Sequence, residues 1–258
     1  SADAGAPSRG WLRGDRSPPS LVLLTAGVAA RAADWLLGRP DGCYSSPMHV
    51  AAPHRAVVAG LDGDVLVLLA KTTQPMSGRE IAERLGLRSH DGVRKSLERL
   101  VGQGIVLRED SRSAFMHVLN REHVGAPAVL ALAGMRAELW TRIRAAMAAW
   151  SLPAVHASAF GSAARGDGDQ HSDIDLFVVR SASVAEGDPG WIDQIEALRT
   201  QVETWAGNRA GIVEQDEQGL RELLARPQPP PVLRDVERDG IELAGVPARR
   251  LLGALRAA

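Results

Sequence analysis

Apolar positions along the chain change period several times, and each change marks an element. Within residues 61–72 Leu61, Val65, Leu66, Leu68 and Leu69 fall on one helix face. Pro75 blocks continuation of that helix. Ser77 stands three residues before Glu80, the spacing of a capping box, so a new helix is predicted there. Ile81, Ala82 and Leu85 give it an inward side, and Gly86 ends it. The next helix is predicted at about 89–103, with Val93, Leu97, Leu100 and Val101 inward and Gly104 as its stop. Residues 105–108 and 114–119 alternate as paired strands around a polar tip at 109–113. A long helix at 127–150 carries Leu130, Leu132, Leu139, Ile143 and Met147. Strand-like runs at 154–160, 173–179 and 209–215 then alternate with helix-like runs at 191–205 and 220–225. A proline run at 227–231 breaks the last of these. After it, residues 232–238 lead through Asp239-Gly240 into a final strand.

The pattern divides the chain into an extension at 1–47, a compact helical unit with two strands at 48–124, and an α/β unit at 127–258 that begins with the long helix. At 258 residues there is enough chain for two small cores. A 45% apolar and 24% charged composition fits a soluble globular protein. The formal net charge of −1 supplies no global field toward nucleic acid, so any such contact needs a local patch. A single cysteine, Cys43, excludes an internal disulfide framework and a cysteine-based zinc site. No run reaches the roughly 20 apolar residues of a membrane helix.

The extension is rich in Ala, Gly, Pro and Ser and reads as poorly ordered. Arg9, Arg13 and Arg16 before the apolar run at 21–30 also mimic a secretory signal. The absence of an internal disulfide framework points instead to a cytoplasmic location. Met48, just before the patterned sequence, is a candidate alternative start.

Candidate chemistry is concentrated in residues 161–179, GSAARGDGDQHSDIDLFVV. The strand predicted at 154–160 ends on Gly161-Ser162. Glycine there removes side-chain bulk, and a turn opening into a short helix directs N–H groups at a phosphate. The Ser162 hydroxyl adds a donor, and Arg165, before Gly166, pairs with phosphate oxygens. In the strand D-I-D-L-F-V-V, Asp173 and Asp175 face the same side, about 7 Å apart at the backbone. Carboxylates this close repel unless a cation lies between them. Magnesium favours carboxylate, water and phosphate oxygens, so a metal–triphosphate is the natural occupant. Ser172 is placed to fix the entry turn through a side-chain-to-backbone bond. His156 reads as a packed strand residue, and His171 as a loop residue within reach of substrate. Tryptophans at helical spacing in 191–205 read as core.

Two resemblances attach to these patterns. Helix, turn, helix and hairpin over residues 60–120 resemble the winged helix-turn-helix family, whose second helix lies in the DNA major groove. Here that helix offers Arg88, Ser89, His90, Arg94 and Lys95 for DNA contact, with Arg99 beside them and Arg108 and Arg112 flanking the wing. Such modules also serve in dimerisation and docking.

GSxxRG followed by SDIDL resembles the DNA polymerase beta-like nucleotidyltransferase superfamily, in the manner of its minimal and antibiotic nucleotidyltransferases. The resemblance covers 127–258. It implies an α+β fold, a mixed sheet flanked by helices, behind the winged helix-turn-helix domain. It also implies transfer of a nucleoside monophosphate from a nucleoside triphosphate such as ATP to an acceptor. By that likeness Gly161, Ser162, Arg165, Gly166 and Ser172 hold the nucleotide, and Asp173 and Asp175 hold Mg2+ or Mn2+. A third carboxylate is expected from a later strand. Glu214 in R-A-G-I-V-E-Q is the candidate, with Asp216 next, although Glu214 has an apolar neighbour on one side only.

Three functions fit this reading. The first is a metal-dependent nucleotidyltransferase whose acceptor is a small molecule, a protein or a transfer RNA. The second is a DNA-binding regulator with a nucleotide-sensing, weakly active or inactive domain. The third is one half of a toxin–antitoxin pair.

Overall fold

The computed structural model of the protein describes residues 47–110 and 114–257. The expectations for residues 1–46 and for Arg112 lie outside the described residues.

The first helix, α1, spans Leu61–Ala70 and is preceded by a 3-10 turn at Pro53–Ala56. A short strand β1 (Met76–Ser77) leads into α2 (Gly78–Arg84). The predicted capping box forms: Ser77 Oγ accepts from the Glu80 N–H, and the Ser77 N–H donates to Glu80 Oε2 at 2.7 Å. Such a cap stabilises a short helix by about 1 kcal/mol. Helix α3 (His90–Gly102) follows, with Ser89 as its N-cap. Strands β2 (Val106–Asp110) and β3 (Phe115–Leu119) pair antiparallel, and β1 joins the far edge of β3 to give the order β1-β3-β2. Val65, Leu69, Ile81, Val93, Leu97, Leu100 and Leu119 meet in one core.

Helix α4 (Ala126–Ala148) crosses from this core to the next. Val129 belongs to the first core, whereas Leu139, Trp140, Ile143 and Met147 belong to the second. Then come β4 (His156–Phe160), the one-turn helix α5 (Gly161–Arg165), β5 (Ile174–Arg180), α6 (Pro189–Ala206) and β6 (Ala210–Asp216). Helices α7 (Glu217–Leu224) and α8 (Pro231–Asp239), strand β7 (Ile241–Gly245) and helix α9 (Ala248–Ala257) complete the chain. The sequence pattern did not announce α9.

The second sheet has the order β6-β5-β4-β7. The β5–β6 pair is parallel and the other two are antiparallel, so the sheet is mixed. Period-two alternation in β5 sends Ile174, Leu176 and Val178 to one face, where α4 and α6 supply Ile143, Trp191, Leu198 and Val202. Phe177 and Val179 go to the other face, against Leu220, Leu233, Val236, Leu251 and Leu252 of α7, α8 and α9. Truncating a buried leucine such as Leu198 to alanine would cost about 2–5 kcal/mol. This α+β arrangement, a mixed sheet with helices on both faces, fits a nucleotidyltransferase domain.

The division at residue 48 needs one correction. Met48 and Val50 pack in the second core, not in the helical unit at 48–124. Segment 48–51 is laced there by backbone bonds from Met48 N to Ala206 O, Val50 N to Asp169 O and Ala51 N to Gly168 O. The Asn208 side chain, 2% exposed, donates to both Met48 O and Ser172 O.

Candidate active site

The chain reverses between two adjacent strands at the candidate site. Strand β4 ends at Phe160, which pairs with Asp175, and the next residue, Gly161, takes a positive φ of 71°. That conformation favours glycine and turns the chain into α5. Gly166 closes α5 in the left-handed region, its N–H donating to Ser162 O at 2.9 Å. A loop at 167–173 returns the chain to β5.

Asp173 lies just ahead of β5 and Asp175 inside it, with buried Ile174 between them on the opposite side. The paired carboxylates therefore share one face, as the alternation predicted. Asp173 is exposed and Asp175 half-buried. Burial first, and the Asp173 charge second, push the Asp175 carboxyl above its ordinary value. No ion pair among the described residues involves either aspartate.

Two glycines make room for Asp175. A Cβ on Gly161 would fall 2.7 Å from Asp175 Oδ2, and a Cβ on Gly211 would fall 2.8 Å from Oδ1. Neither position tolerates a side chain without displacing the carboxylate. Gly211 is the direct partner of Asp175 on β6. A glycine inside a strand marks such close approach, and Gly211 within R-A-G-I-V-E-Q is the signal of it in the sequence.

The nucleotide-binding candidates cluster around the same turn. The Ser162 and Ser172 hydroxyls flank Gly168, at 3.1 and 3.2 Å from where its Cβ would stand. Ser172 Oγ accepts from the Asp169 N–H at 3.0 Å, fixing the entry turn. The His171 N–H donates to Asp169 Oδ1 and holds that carboxyl below its ordinary value. Arg165 pairs with Asp167 at 3.1 Å, beside the turn. His156 is a packed residue: it is buried, its Nδ1–H donates to Val246 O at 2.7 Å, its Nε2 accepts from the Ser158 hydroxyl at 3.1 Å, and desolvation holds its pKa below the ordinary value.

Glu214 does not join the pair. It registers with Val178, whose parity is that of Ile174 and Leu176, so it projects from the face opposite Asp175. There it accepts from Arg180 Nε at 3.2 Å. Asp216 lies on the same face and pairs with Arg180 at 3.4 Å. The expectation that Glu214 completes the metal cage is corrected by this register. No cluster of three His, Cys, Asp or Glu side chains able to hold a metal exists among the described residues.

Arg136, on the inward side of α4, supports the site although it belongs to none of the sequence motifs. Its Nη2 donates to Ala163 O at 2.8 Å and Ala164 O at 2.5 Å, bracing the carbonyl end of α5. Burial without a carboxylate partner lowers its pKa. The signal in the sequence was a lone charge in register with Leu132, Leu139 and Ile143.

On the first unit, Arg88, Ser89, His90, Arg94 and Lys95 are all exposed at the start of α3 or just before it. Their charge is largely answered locally. Arg94 pairs with Asp91 and Glu98 at 2.7 Å each, and Lys95 with Asp91 at 3.1 Å.

No helix among the described residues is long and apolar enough to cross a membrane. No curated protein matches the chain. Residues 144–225, which hold β4 through α7 and the whole Gly161–Asp175 constellation, match the family model described as a nucleotidyltransferase domain. This match supports the nucleotidyltransferase superfamily for that part of the chain, and with it nucleotidyl transfer from a nucleoside triphosphate in general.

Proposed function

We propose that residues 127–258 act as a metal-dependent nucleotidyltransferase, carried by a chain whose residues 48–124 include a winged helix-turn-helix unit. One observation carries this reading: the Asp173–Asp175 pair opens onto the Gly161-Ser162 turn, with Asp175 seated between two bare glycine Cα atoms. A half-buried carboxylate with no basic partner and a like charge beside it suits a divalent cation, so the residues fit Mg2+ or Mn2+. Asp173 and Asp175 would hold it. When bound, such a cation neutralises phosphate charge and stabilises the departing pyrophosphate.

The remaining work falls to the chain. The acceptor's nucleophilic atom bonds to the α-phosphorus and gives up its proton to water as the bond to the β-phosphate bridging oxygen breaks, and pyrophosphate leaves. Gly161 lets the triphosphate approach the backbone. The Ser162 and Ser172 hydroxyls donate to phosphate oxygens, and Arg165 beside Gly166 offers a guanidinium to the same charge. Position and electrostatics supply the rate in such reactions.

The test incubates the full chain with each α-labelled triphosphate, magnesium or manganese, and candidate acceptors: small molecules, proteins and transfer RNA. Label transfer by the wild type that disappears in Asp175→Asn supports the reading. Equal transfer by both proteins refutes it.

A second reading is favoured by the position of Glu214 and by Gly211 beside Asp175, which leave the face with two acids. In that reading the protein is a DNA-binding regulator whose second domain senses nucleotide with weak or no turnover. Arg88, Ser89, His90, Arg94 and Lys95 would then touch DNA, chiefly its phosphates. Tight nucleotide binding without label transfer, together with duplex binding lost on Arg94→Ala and Lys95→Ala, would select it.

A further inference from the structure

A cleft of about 640 Å³ opens between α3, the start of α2 and the β2–β3 ribbon, away from the nucleotidyltransferase constellation. Its volume lies within the roughly 300–1,000 Å³ of small-ligand sites. Leu97 and Val101 of α3 form one wall. His117 and Phe115 of β3 form the facing side, because alternation sends Phe115, His117 and Leu119 to the same face of the ribbon. Leu119 is buried in the core, but Phe115 extends past the packed region and stays 54% exposed. His117 is 7% exposed, and its Nδ1 finds no hydrogen-bond partner among the described residues. Buried polar atoms are seldom left so.

The charges of the cleft are one-sided. Arg79, Arg94 and Arg108 line it against a single carboxylate, Glu98. Arg79 and Arg94 have acidic partners on their own helices. Arg108 forms no ion pair among the described residues. Its guanidinium lies 4.5 Å from the Phe115 ring centroid, a stacked pair at the mouth. An apolar floor, an aromatic ring 54% exposed and a guanidinium without an ion-pair partner together match a planar ring bearing a negative group.

The geometry points to this cleft as a binding site for a small aromatic anion, an aryl carboxylate or sulfonate by class. The ring lies against Phe115, Leu97 and Val101, and the anionic group meets Arg108. This inference is independent of the nucleotidyltransferase reading.

The probe is 8-anilinonaphthalene-1-sulfonate, titrated into the full chain and followed by its fluorescence. Gly102 lines the cleft, and a Cβ there meets nothing within 4 Å, so Gly102→Phe adds a bulky ring at the cleft wall with no clash at its Cβ. The expected result is saturable binding of one dye per chain, abolished by Gly102→Phe and weakened about tenfold by Arg108→Ala. Both variants keep the wild-type melting temperature. Affinity unchanged in Gly102→Phe, or a signal that rises without saturating, overturns the proposal. A parallel titration uses a short random-sequence DNA duplex. Duplex binding that Gly102→Phe removes, with no dye binding by the wild type, would assign the cleft to nucleic acid and overturn it as well.

Discussion

Asp175 shows how far single residues decide this molecule. Its carboxylate is half-buried beside Asp173, wedged against Gly161 and Gly211, and meets no base. In metal-free buffer its charge opposes folding, so Asp175→Asn should raise the melting temperature while lowering label transfer by on the order of 10²–10³-fold. Calorimetry and the transfer assay on the same preparation check both halves, and a lower melting temperature would contradict the electrostatic account. Glu214→Gln should behave in the opposite way. Its loss leaves Arg180, 6% exposed, with Asp216 and the Val184 carbonyl alone, costing about 1–2 kcal/mol in denaturant titration with turnover unchanged. A third residue sets an acid limit. Desolvation lowers the His156 pKa in the folded protein, so the unfolded chain binds the extra proton. Stability from the neutral ring is therefore complete above the ordinary imidazole value near 6.5 and is lost as pH falls below it toward the depressed value. Melting temperatures between pH 5 and 8 should show that slope, flattened in His156→Gln. The aspartate pair was legible because two polar residues interrupt an apolar run at period two. Glu214 was misjudged because its face depends on the pairing Ile174 with Ala210, and a one-residue slip reverses every side chain.

Elements were more legible than their partners. The capping box at Ser77 and Glu80, the long stripe of α4 and the strand before Gly161 all announce themselves locally, because each follows from short-range chemistry. Helix α9 and the lacing of residues 48–51 do not, because both are fixed by distant surfaces: α9 by the sheet face that carries Phe177, and the segment by Asn208 and the 168–169 loop. The same distinction explains why Arg136 was overlooked. It sits within an apolar helix stripe, yet its partners are carbonyls 27 and 28 positions away. Since α5 is a single turn, it has little stability of its own, and charged donors to its last carbonyls contribute about 1.5–3 kcal/mol. Arg136→Leu should therefore loosen the turn and weaken nucleotide affinity about tenfold or more, while Arg136→Lys retains part of it. Isothermal titration with a triphosphate and magnesium measures this; affinity equal to wild type in the leucine variant would remove Arg136 from the site's support.

At the scale of the whole molecule, the described residues form one compact unit although they contain separate cores. The reason is α4. Its first turns place Val129 among Leu69, Ile81 and Leu97, and its later turns place Ile143 and Met147 beneath the second sheet. A continuous helix cannot lose one end's packing without exposing apolar surface at a rate of about 25 cal/mol per Å². Helices of this length depend on such tertiary packing more than on intrinsic propensity. Unfolding either core should therefore unfold the other. Of the six tryptophans, those at 140, 150, 191 and 205 belong to the second core or pack against it. With Trp11 and Trp35 replaced by phenylalanine, tryptophan fluorescence reports that core, whereas amide exchange at Ile81 and Leu97 reports the first. Both probes should give one denaturant midpoint, and magnesium with a triphosphate should shift both together by mass action. Two separated midpoints would mean that α4 frays between the cores. In that case nucleotide binding at the Asp173–Asp175 end would not be carried through α4 to the α3 face, and the reading as a nucleotide-sensing regulator would lose that helical route of communication.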